Sequence, residues 1–385
     1  MNIKRKRVLI TGARAPVTLH LCRVLENGGM DVYTADSVPY ALAKTTNRIK
    51  EFFLYPSPKY ETKEFINCLI QVIKKRRIDI LMPTCEETFY VSMYKEQLST
   101  YCDVIVDDLE KMRLLHHKER FIRFVEELGL NTPKTKLLVS QVNLPVLMKE
   151  FHSDLVLKKV YSRFSDSVIF LKEGEEFPVQ VFEDSLWIVQ ERIYGNQYCS
   201  YGFARNGKLL AHSVYKSEFT AGLGATLSYQ YTEKPEIEQF VKSIVAKLSF
   251  TGQISFDFIV THAGVAIPIE CNPRATSGLH LFGKEIAKVI SGEQKDLLYP
   301  KNETKEAIKL GVLLFGRNNF KSMKQVKRWF QILATYKDIT FRKNDIKPFF
   351  YQFVSMYFLW RASRINKLTM LEQSTYDISW DGEHS

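Results

Sequence analysis

The sequence lacks the marks of several protein classes. Its six cysteines, Cys22, Cys68, Cys85, Cys102, Cys199 and Cys271, form no C-x-x-C pair and no ligand-like spacing. Neither a disulfide framework nor a zinc site is indicated, and a reducing compartment suits the pattern. No run reaches the roughly 20 apolar residues that a bilayer span needs. The longest aromatic-apolar stretch, Phe349 to Trp360, carries Gln352 and Ser355 and reads as a buried or interfacial helix, so no membrane span is expected. The start, Met-Asn-Ile-Lys-Arg-Lys-Arg, runs into a β-like segment with no secretory h-region or cleavage site, which points to a cytoplasmic protein. The eight histidines follow no metal pattern, and there is no internal repeat or low-complexity tract.

The chain has 385 residues, 45% of them hydrophobic, enough to bury a large core in two or three domains. Its net charge of +11 gathers at Lys4 to Arg7 and between Lys305 and Lys347. There Lys321, Lys324, Lys327 and Arg328 follow helical spacing, which reads as a solvated helix face. No nucleic-acid motif accompanies these charges, so no nucleic-acid partner is expected.

Strand and helix signals alternate over residues 1–105: Val8-Leu9-Ile10, a helix over Val17 to Glu26, a strand at Asp31 to Ala35, a helix over Phe65 to Arg76 and a strand at Ile78 to Pro83. That alternation predicts a parallel sheet with helices on both faces. The loop Thr11 to Pro16 lacks the second and third glycines of G-x-G-x-x-G, so it does not support pyrophosphate binding. Residues 106–185 open with a helix over Leu109 to Leu128 and continue in strands, including Leu155 to Lys159. Residues 186–300 are mainly β with one helix, Ile237 to Leu248, and residues 301–385 form a basic, aromatic region. In open α/β sheets ligands gather at the strand C-termini, which places Thr11 to Arg14 and Pro83 to Glu87 at the expected ligand crevice.

The most informative segment is Ile254-Ser255-Phe256-Asp257-Phe258-Ile259-Val260, a short Gly264 turn, and Val265-Ala266-Ile267-Pro268-Ile269-Glu270-Cys271-Asn272-Pro273-Arg274. It predicts a hairpin. Pairing Val260 with Val265 sets Asp257 opposite Pro268 and Ser255 opposite Glu270. Asp257, Glu270 and Asn272 then share one face, with Phe256, Phe258, Ile267 and Ile269 on the other, and the two acids become diagonal neighbours about 7 Å apart. Two carboxylates and an amide oxygen on one face call for a hard divalent cation, magnesium or manganese. Magnesium takes few protein carboxylates and completes its shell with phosphate and water, so the triad reads as a nucleotide-metal site.

The hairpin resembles the metal-binding hairpin of the ATP-grasp superfamily, which includes the large subunit of carbamoyl phosphate synthetase and D-alanine ligase. The resemblance runs from the N-terminus to about residue 290. It implies an α/β fold, with an N-terminal parallel-sheet, Rossmann-like pre-ATP-grasp domain followed by a two-lobed α+β ATP-grasp domain. It implies ATP and Mg2+ (or Mn2+) as cofactors, Asp257, Glu270 and Asn272 as metal ligands, and Arg274 steering an anionic substrate or intermediate, with Ser277 and Gly278 in a substrate-side loop. Lys158 resembles the family's phosphate-binding strand lysine, with Lys159 an acceptable substitute. The loop after it, Tyr161 to Ser167, departs from the family's lid in having no glycine. Gln190, Glu191, Arg192 and Ile193 resemble the adenine hinge, with Gln197 at the position of a ribose-binding acid. Lys118 and Lys216 are further phosphate-contacting candidates. The activity implied is an ADP-forming, C–N bond-forming ligase that joins small-molecule carboxylate and amine substrates through an acyl phosphate. An NAD-dependent reductase or epimerase with a fused β domain is the alternative. The sequence admits a homodimer and does not name the substrates.

Overall fold

A computed structural model of the chain describes residues 5–138, 150–161, 168–175, 186–222, 225–320 and 322–382. The loop residues Ser162, Arg163, Ser165 and Ser167 lie outside the described residues. The apolar runs near the N-terminus become short strands, buried at the centre of the sheet and partly exposed at its edges: β1 (Arg7–Ile10), β2 (Asp31–Asp36), β3 (Glu51–Leu54), β4 (Ile80–Met82) and β5 (Asp103–Val104). They pair in parallel in the order β3-β2-β1-β4-β5. The expected parallel sheet is therefore present, with β3 and β5 added at its edges. The strand order reverses between β1 and β4, the place where such sheets open a crevice at their strand C-termini.

The helix read over Leu109 to Leu128 is two helices, Leu109–His116 and Lys118–Glu127. His117 is extended between them, with φ −75° and ψ 106°, and its Nδ1 accepts the backbone N–H of Arg120 at 3.2 Å. A side-chain acceptor in place of the missing turn carbonyls is what lets the second helix begin there. Burial, with help from Arg120, pushes the His117 pKa down to about 4, so the ring stays neutral and able to accept.

Next comes a small antiparallel sheet, β6 (Thr135–Leu138), β7 (Leu155–Lys159), β8 (Val168–Leu171) and β9 (Trp187–Glu191), in the order β6-β9-β7-β8. It has its own core of Leu138, Phe151, Leu155, Leu157, Leu171, Trp187 and Val189. A larger antiparallel sheet follows, built from β10 (Asn196–Arg205) and β11 (Lys208–Lys216). Three short strands come next, β12 (Thr220–Ala221), β13 (Ala225–Thr226) and β14 (Ser228–Gln230). The helix Pro235–Lys247 leads into β15 (Gly252–Val260) and β16 (Ala266–Asn272), which complete the sheet in the order β11-β10-β15-β16. The architecture is thus mixed α/β, a parallel sheet followed by antiparallel lobes, as the sequence leads one to expect. Leu9, Phe121, Phe256 and Phe258 share one core and Val8, Tyr201 and Leu279 another, so the parallel sheet and the larger antiparallel sheet are packed as one body. No helix among the described residues is long and apolar enough to cross a membrane.

Residues beyond 300 return to the N-terminal sheet. Arg23 donates to Asp345 at 2.7 Å, and Arg14 donates to both Asp36 and Asp377 at 2.6 Å. Trp380 is fully buried, stacked on Phe89 at 4.7 Å and edge-on to Tyr161 at 5.6 Å. Emptying a space of that size removes both transfer energy and packing. Trp380→Ala is expected to cost about 3–5 kcal/mol of folding stability, read as a lowered urea midpoint with an unchanged slope; an unshifted midpoint contradicts this role for the C-terminal segment.

Candidate active site

The site is built on the β15–β16 hairpin, whose register differs from the sequence reading. Val260 pairs with Ala266, Ile259 with Ile267 and Phe258 with Pro268; the register then shifts, and Asp257 stands directly opposite Glu270, with Phe256 opposite Cys271 and Ser255 opposite Asn272. The diagonal arrangement across Pro268 is therefore corrected to a facing pair. The residues sharing the core side with Phe256 and Phe258 are Cys271 and Pro268, rather than Ile267 and Ile269. The cause is a bulge at Ile269. Continued without it, the outer register would set Glu270 opposite Phe256 and turn its carboxylate into the core.

Two like charges facing each other in a cleft disfavour ionisation of at least one of them. Burial first, and the Glu270 carboxylate second, push the Asp257 pKa well above the usual carboxylate range. Cations from elsewhere in the chain offset the repulsion. Lys118, in the first turn of its helix and almost inaccessible, places Nζ 3.8 Å from Glu270 Oε2 and 3.4 Å from the Val160 carbonyl. Lys158 on β7 is also buried and donates to Gln190 Oε1 at 2.9 Å, and Gln190 Nε2 in turn donates to Thr135 Oγ1 at 2.9 Å. Burial is the main reason that the Lys158 pKa falls to about 8; the Lys118 charge adds to it, while Glu270 and Asp257 oppose it.

Arg274 closes the other end. Its Nε donates to Glu86 Oε1 at 2.9 Å, and its Nη2 donates to Asn272 Oδ1 at 3.3 Å. Glu86, at the end of the segment after β4, is thereby the group through which the parallel sheet reaches the hairpin. Gln253 reinforces that junction by donating to the Pro83 carbonyl at 2.7 Å. Gly278 lies flat on the sheet, where a Cβ would meet the Tyr201 Cβ at 2.5 Å, and its carbonyl accepts the Ser213 hydroxyl at 2.9 Å. Ser277 opens that turn.

Other sequence-predicted residues stand further from this cluster. Glu191 lies on the face opposite to Gln190, and its carboxylate accepts the Lys134 N–H at 3.3 Å. Arg192 donates its backbone N–H to the Asp154 carbonyl, and its guanidinium covers Phe170 and Tyr194 at 4.7 and 4.9 Å. Ile193 is half-buried beside it. Gln197 is half-buried and two residues from Cys199, which pairs with Asp257, so the two glutamine and aspartate positions share a face. Lys216 does not join them. It pairs with Tyr198, which pairs with Phe258, so the register sets this exposed lysine on the face away from Asp257.

The loop after β1 is already filled. Gly12 has φ +72°, and a Cβ there would meet Thr84 Oγ1 at 2.6 Å and Glu87 Oε1 at 3.0 Å. The buried Glu87 carboxylate accepts the Thr11 hydroxyl and the N–H groups of Thr84 and Cys85. A carboxylate on the donors that a pyrophosphate would use argues against a dinucleotide there. Sequence reading missed the pairing of Glu86 with Arg274 and of Gln190 with Lys158. A polar residue inside the buried run Trp-Ile-Val-Gln was the available signal for the latter.

No group of three or more His, Cys, Asp or Glu side chains that could cage a metal gathers among the described residues. Two facing carboxylates plus the Asn272 amide do fit magnesium, which draws the rest of its shell from phosphate and water.

Comparison with known proteins bears on the fold that carries these residues. Residues 115–278 match the family described as the ATP-grasp domain. No curated protein matches the chain by sequence. Among solved structures, the chain is similar to the N5-carboxyaminoimidazole synthetase from Staphylococcus aureus complexed with ADP, at 10% identity and TM-score 0.62, covering 79% of this chain and 82% of that one. It is similar to the L-amino acid ligase from Bacillus licheniformis at 15% identity and TM-score 0.56, covering 74% and 70%. It is also similar to biotin carboxylase from Campylobacter jejuni at 15% identity and TM-score 0.57, covering 78% and 73%.

The low pKa of Lys158 sets a pH dependence with a definite sign. Below about pH 8 the free protein already carries this charge, whereas above it a proton must be taken up if Lys158 is to meet a nucleotide phosphate as a cation. Nucleotide affinity is therefore expected to be flat below that pH and to fall by up to about tenfold per unit above it. Titration calorimetry in two buffers of different ionisation heat measures both the affinity and the proton uptake; Lys158→Met should abolish the dependence.

Proposed function

We propose that the chain, which carries an ATP-grasp domain, is an ATP- and magnesium-dependent ligase that activates a small-molecule carboxylate as an acyl phosphate, releases ADP and passes the acyl group to an amine. The observation that carries the reading is the facing pair Asp257 and Glu270 with two buried lysines from two other segments turned toward it. Asp257, Glu270 and Asn272 would hold the metal ion, which when bound supplies neutralisation of the β- and γ-phosphate charge.

Each remaining charge has a task in phosphoryl transfer. Lys118 exchanges its Glu270 contact for phosphate oxygens, and Lys158, already aimed by Gln190, adds a second point charge at no cost in reorientation. The backbone of Glu191, Arg192 and Ile193 offers the adenine edge its donors and acceptors, and the Gln197 amide reaches ribose hydroxyls. A substrate carboxylate oxygen attacks the γ-phosphorus as the bond to the ADP oxygen breaks, a step governed by positioning and charge neutralisation. Arg274, held by Glu86, presents a planar fork to the acyl phosphate beside the Ser277–Gly278 turn. The amine nitrogen then bonds to the acyl carbon, phosphate leaves, and the nitrogen gives up its proton. Closure over the cleft keeps water from the acyl phosphate.

The test is a coupled ADP-release assay over a panel of amino acids and other carboxylates. Asp257→Asn and Glu270→Gln are expected to lower the rate on the order of 100-fold or more, with circular dichroism unchanged. Equal ADP release from wild type and Glu270→Gln would remove the assigned role. Glu86→Gln is expected to raise KM for the carboxylate substrate by severalfold with a smaller change in kcat, because it frees Arg274 to wander without deleting its charge.

A further inference from the structure

The long helix Lys347–Asn366 is inside out. Its buried positions are Pro348, Gln352 and Ser363, and the Ser355 hydroxyl donates to the Tyr40 carbonyl at 2.7 Å. Phe350, Phe353, Tyr357, Trp360 and Ile365, by contrast, are 49% to 70% exposed. Their spacing of three, four, three and five residues keeps them on one side of the cylinder. From Phe350 to Ile365 this edge runs about 22 Å, apolar and aromatic as far as Trp360 and then shared with Arg361 and Arg364, more than the scattered exposed side chains of an ordinary surface.

The charges around this edge say what would cover it. Lys347 stands in the first turn, and Arg361, Arg364 and Lys367 lie at the other end, all exposed. From Ile346 to Leu371 there is no aspartate or glutamate. The nearest acid before the helix, Asp345, is turned inward and held by Arg23 and Thr46 at 2.7 and 2.5 Å. A second copy of the chain laid on this face would set cationic ends against cationic ends in either orientation, with no acid to receive them. A sheet of anionic headgroups above acyl chains meets both features: aromatic side chains enter the interface, with tryptophan and tyrosine at headgroup depth, and the basic ends meet the negative surface.

We propose that the exposed face of the helix Lys347–Asn366 docks the protein on an anionic phospholipid surface, with the helix lying in the plane of the interface and no segment crossing it. The inference is independent of the ligase reading.

The molecule carries its own reporter. Trp187, Trp329 and Trp380 are 5% exposed or less, and Trp360 is 50% exposed. The experiment adds full-length protein to vesicles of phosphatidylcholine alone or of phosphatidylcholine and phosphatidylserine, at about 0.05 and about 0.5 M salt, and follows co-sedimentation and tryptophan emission. The expected result is co-sedimentation with the phosphatidylserine vesicles at low salt, weakened at high salt, with a blue shift that Trp360→Phe removes while binding persists. The double change Arg361→Glu with Arg364→Glu is expected to weaken partitioning at least about thirtyfold. Paired Phe353→Ser and Tyr357→Ser should abolish binding with circular dichroism unchanged. Failure to sediment with phosphatidylserine vesicles would overturn the proposal, as would equal sedimentation with phosphatidylcholine alone. So would a lipid-insensitive dimer in sedimentation equilibrium that Phe353→Ser and Tyr357→Ser dissociate, because a second copy would then own the face.

Discussion

Two carboxylates facing each other across a hairpin are an unfavourable thing to fold, and the site depends on one irregularity that forces them together. The extra residue at Ile269 turns Glu270 from the Phe256 side to the Asp257 side, so both acids must share one low-dielectric cleft. The cost of that arrangement recurs in the pKa of Asp257, held up by burial and by its neighbour. A pair of this kind persists only if something positive lies close by, and the fold supplies it from parts of the chain far away in sequence.

The compensating charges are distributed so that no single segment owns the site. Lys118 comes from the helix after the parallel sheet, Lys158 from the small lobe, and Arg274 from the end of the hairpin, where Glu86 holds it. The three cations answer Asp257, Glu270 and Glu86, so the cluster is balanced before any ligand arrives. On the proposed reading, an incoming polyphosphate would enter by exchange, taking the Lys118 contact that Glu270 makes in its absence. Such an exchange favours a ligand that brings its own divalent cation, since the displaced carboxylates then gain a partner of their own.

Much of this was legible in the sequence, and what was not has identifiable physical reasons. The alternation from Phe256 to Val260 sets the face of Asp257 on its strand, and the two-residue spacing of Glu270 and Asn272 sets theirs, because parity along a strand needs no knowledge of the partner. The register does need the partner, and it was misplaced. A clue was present in Pro268, which cannot donate to a ladder and belongs on an edge strand or at a bulge; β16 is such an edge. The turn at Asn206-Gly207, both with positive φ, marks the β10–β11 hairpin. The face of Lys216 follows only once that hairpin and its bulge between Phe203 and Ala204 are known. The break at His117 was invisible to periodicity, since apolar spacing runs through it and only a ring nitrogen bonded to the Arg120 amide ends one helix and starts the next.

The C-terminal segment shows why residues remote from the chemistry matter to it. Trp380 touches Phe89, His116 and Tyr161. Phe89 follows Glu86 by three residues, His116 precedes Lys118 by two, and Tyr161 follows Lys158 by three. One buried indole thus sits at the point where the three segments that carry these charged groups come closest to a common support. Because close-packed interiors transmit displacement rather than absorb it, the spacing of Glu86, Lys118 and Lys158 is tied to the filling of that single space. The Arg14 ion pairs with Asp36 and Asp377 anchor the same segment to the parallel sheet a few residues earlier. The end of the chain is therefore a spacer for the cluster, and the sheet, the linker helices and the small lobe hold their charges in register because they share it.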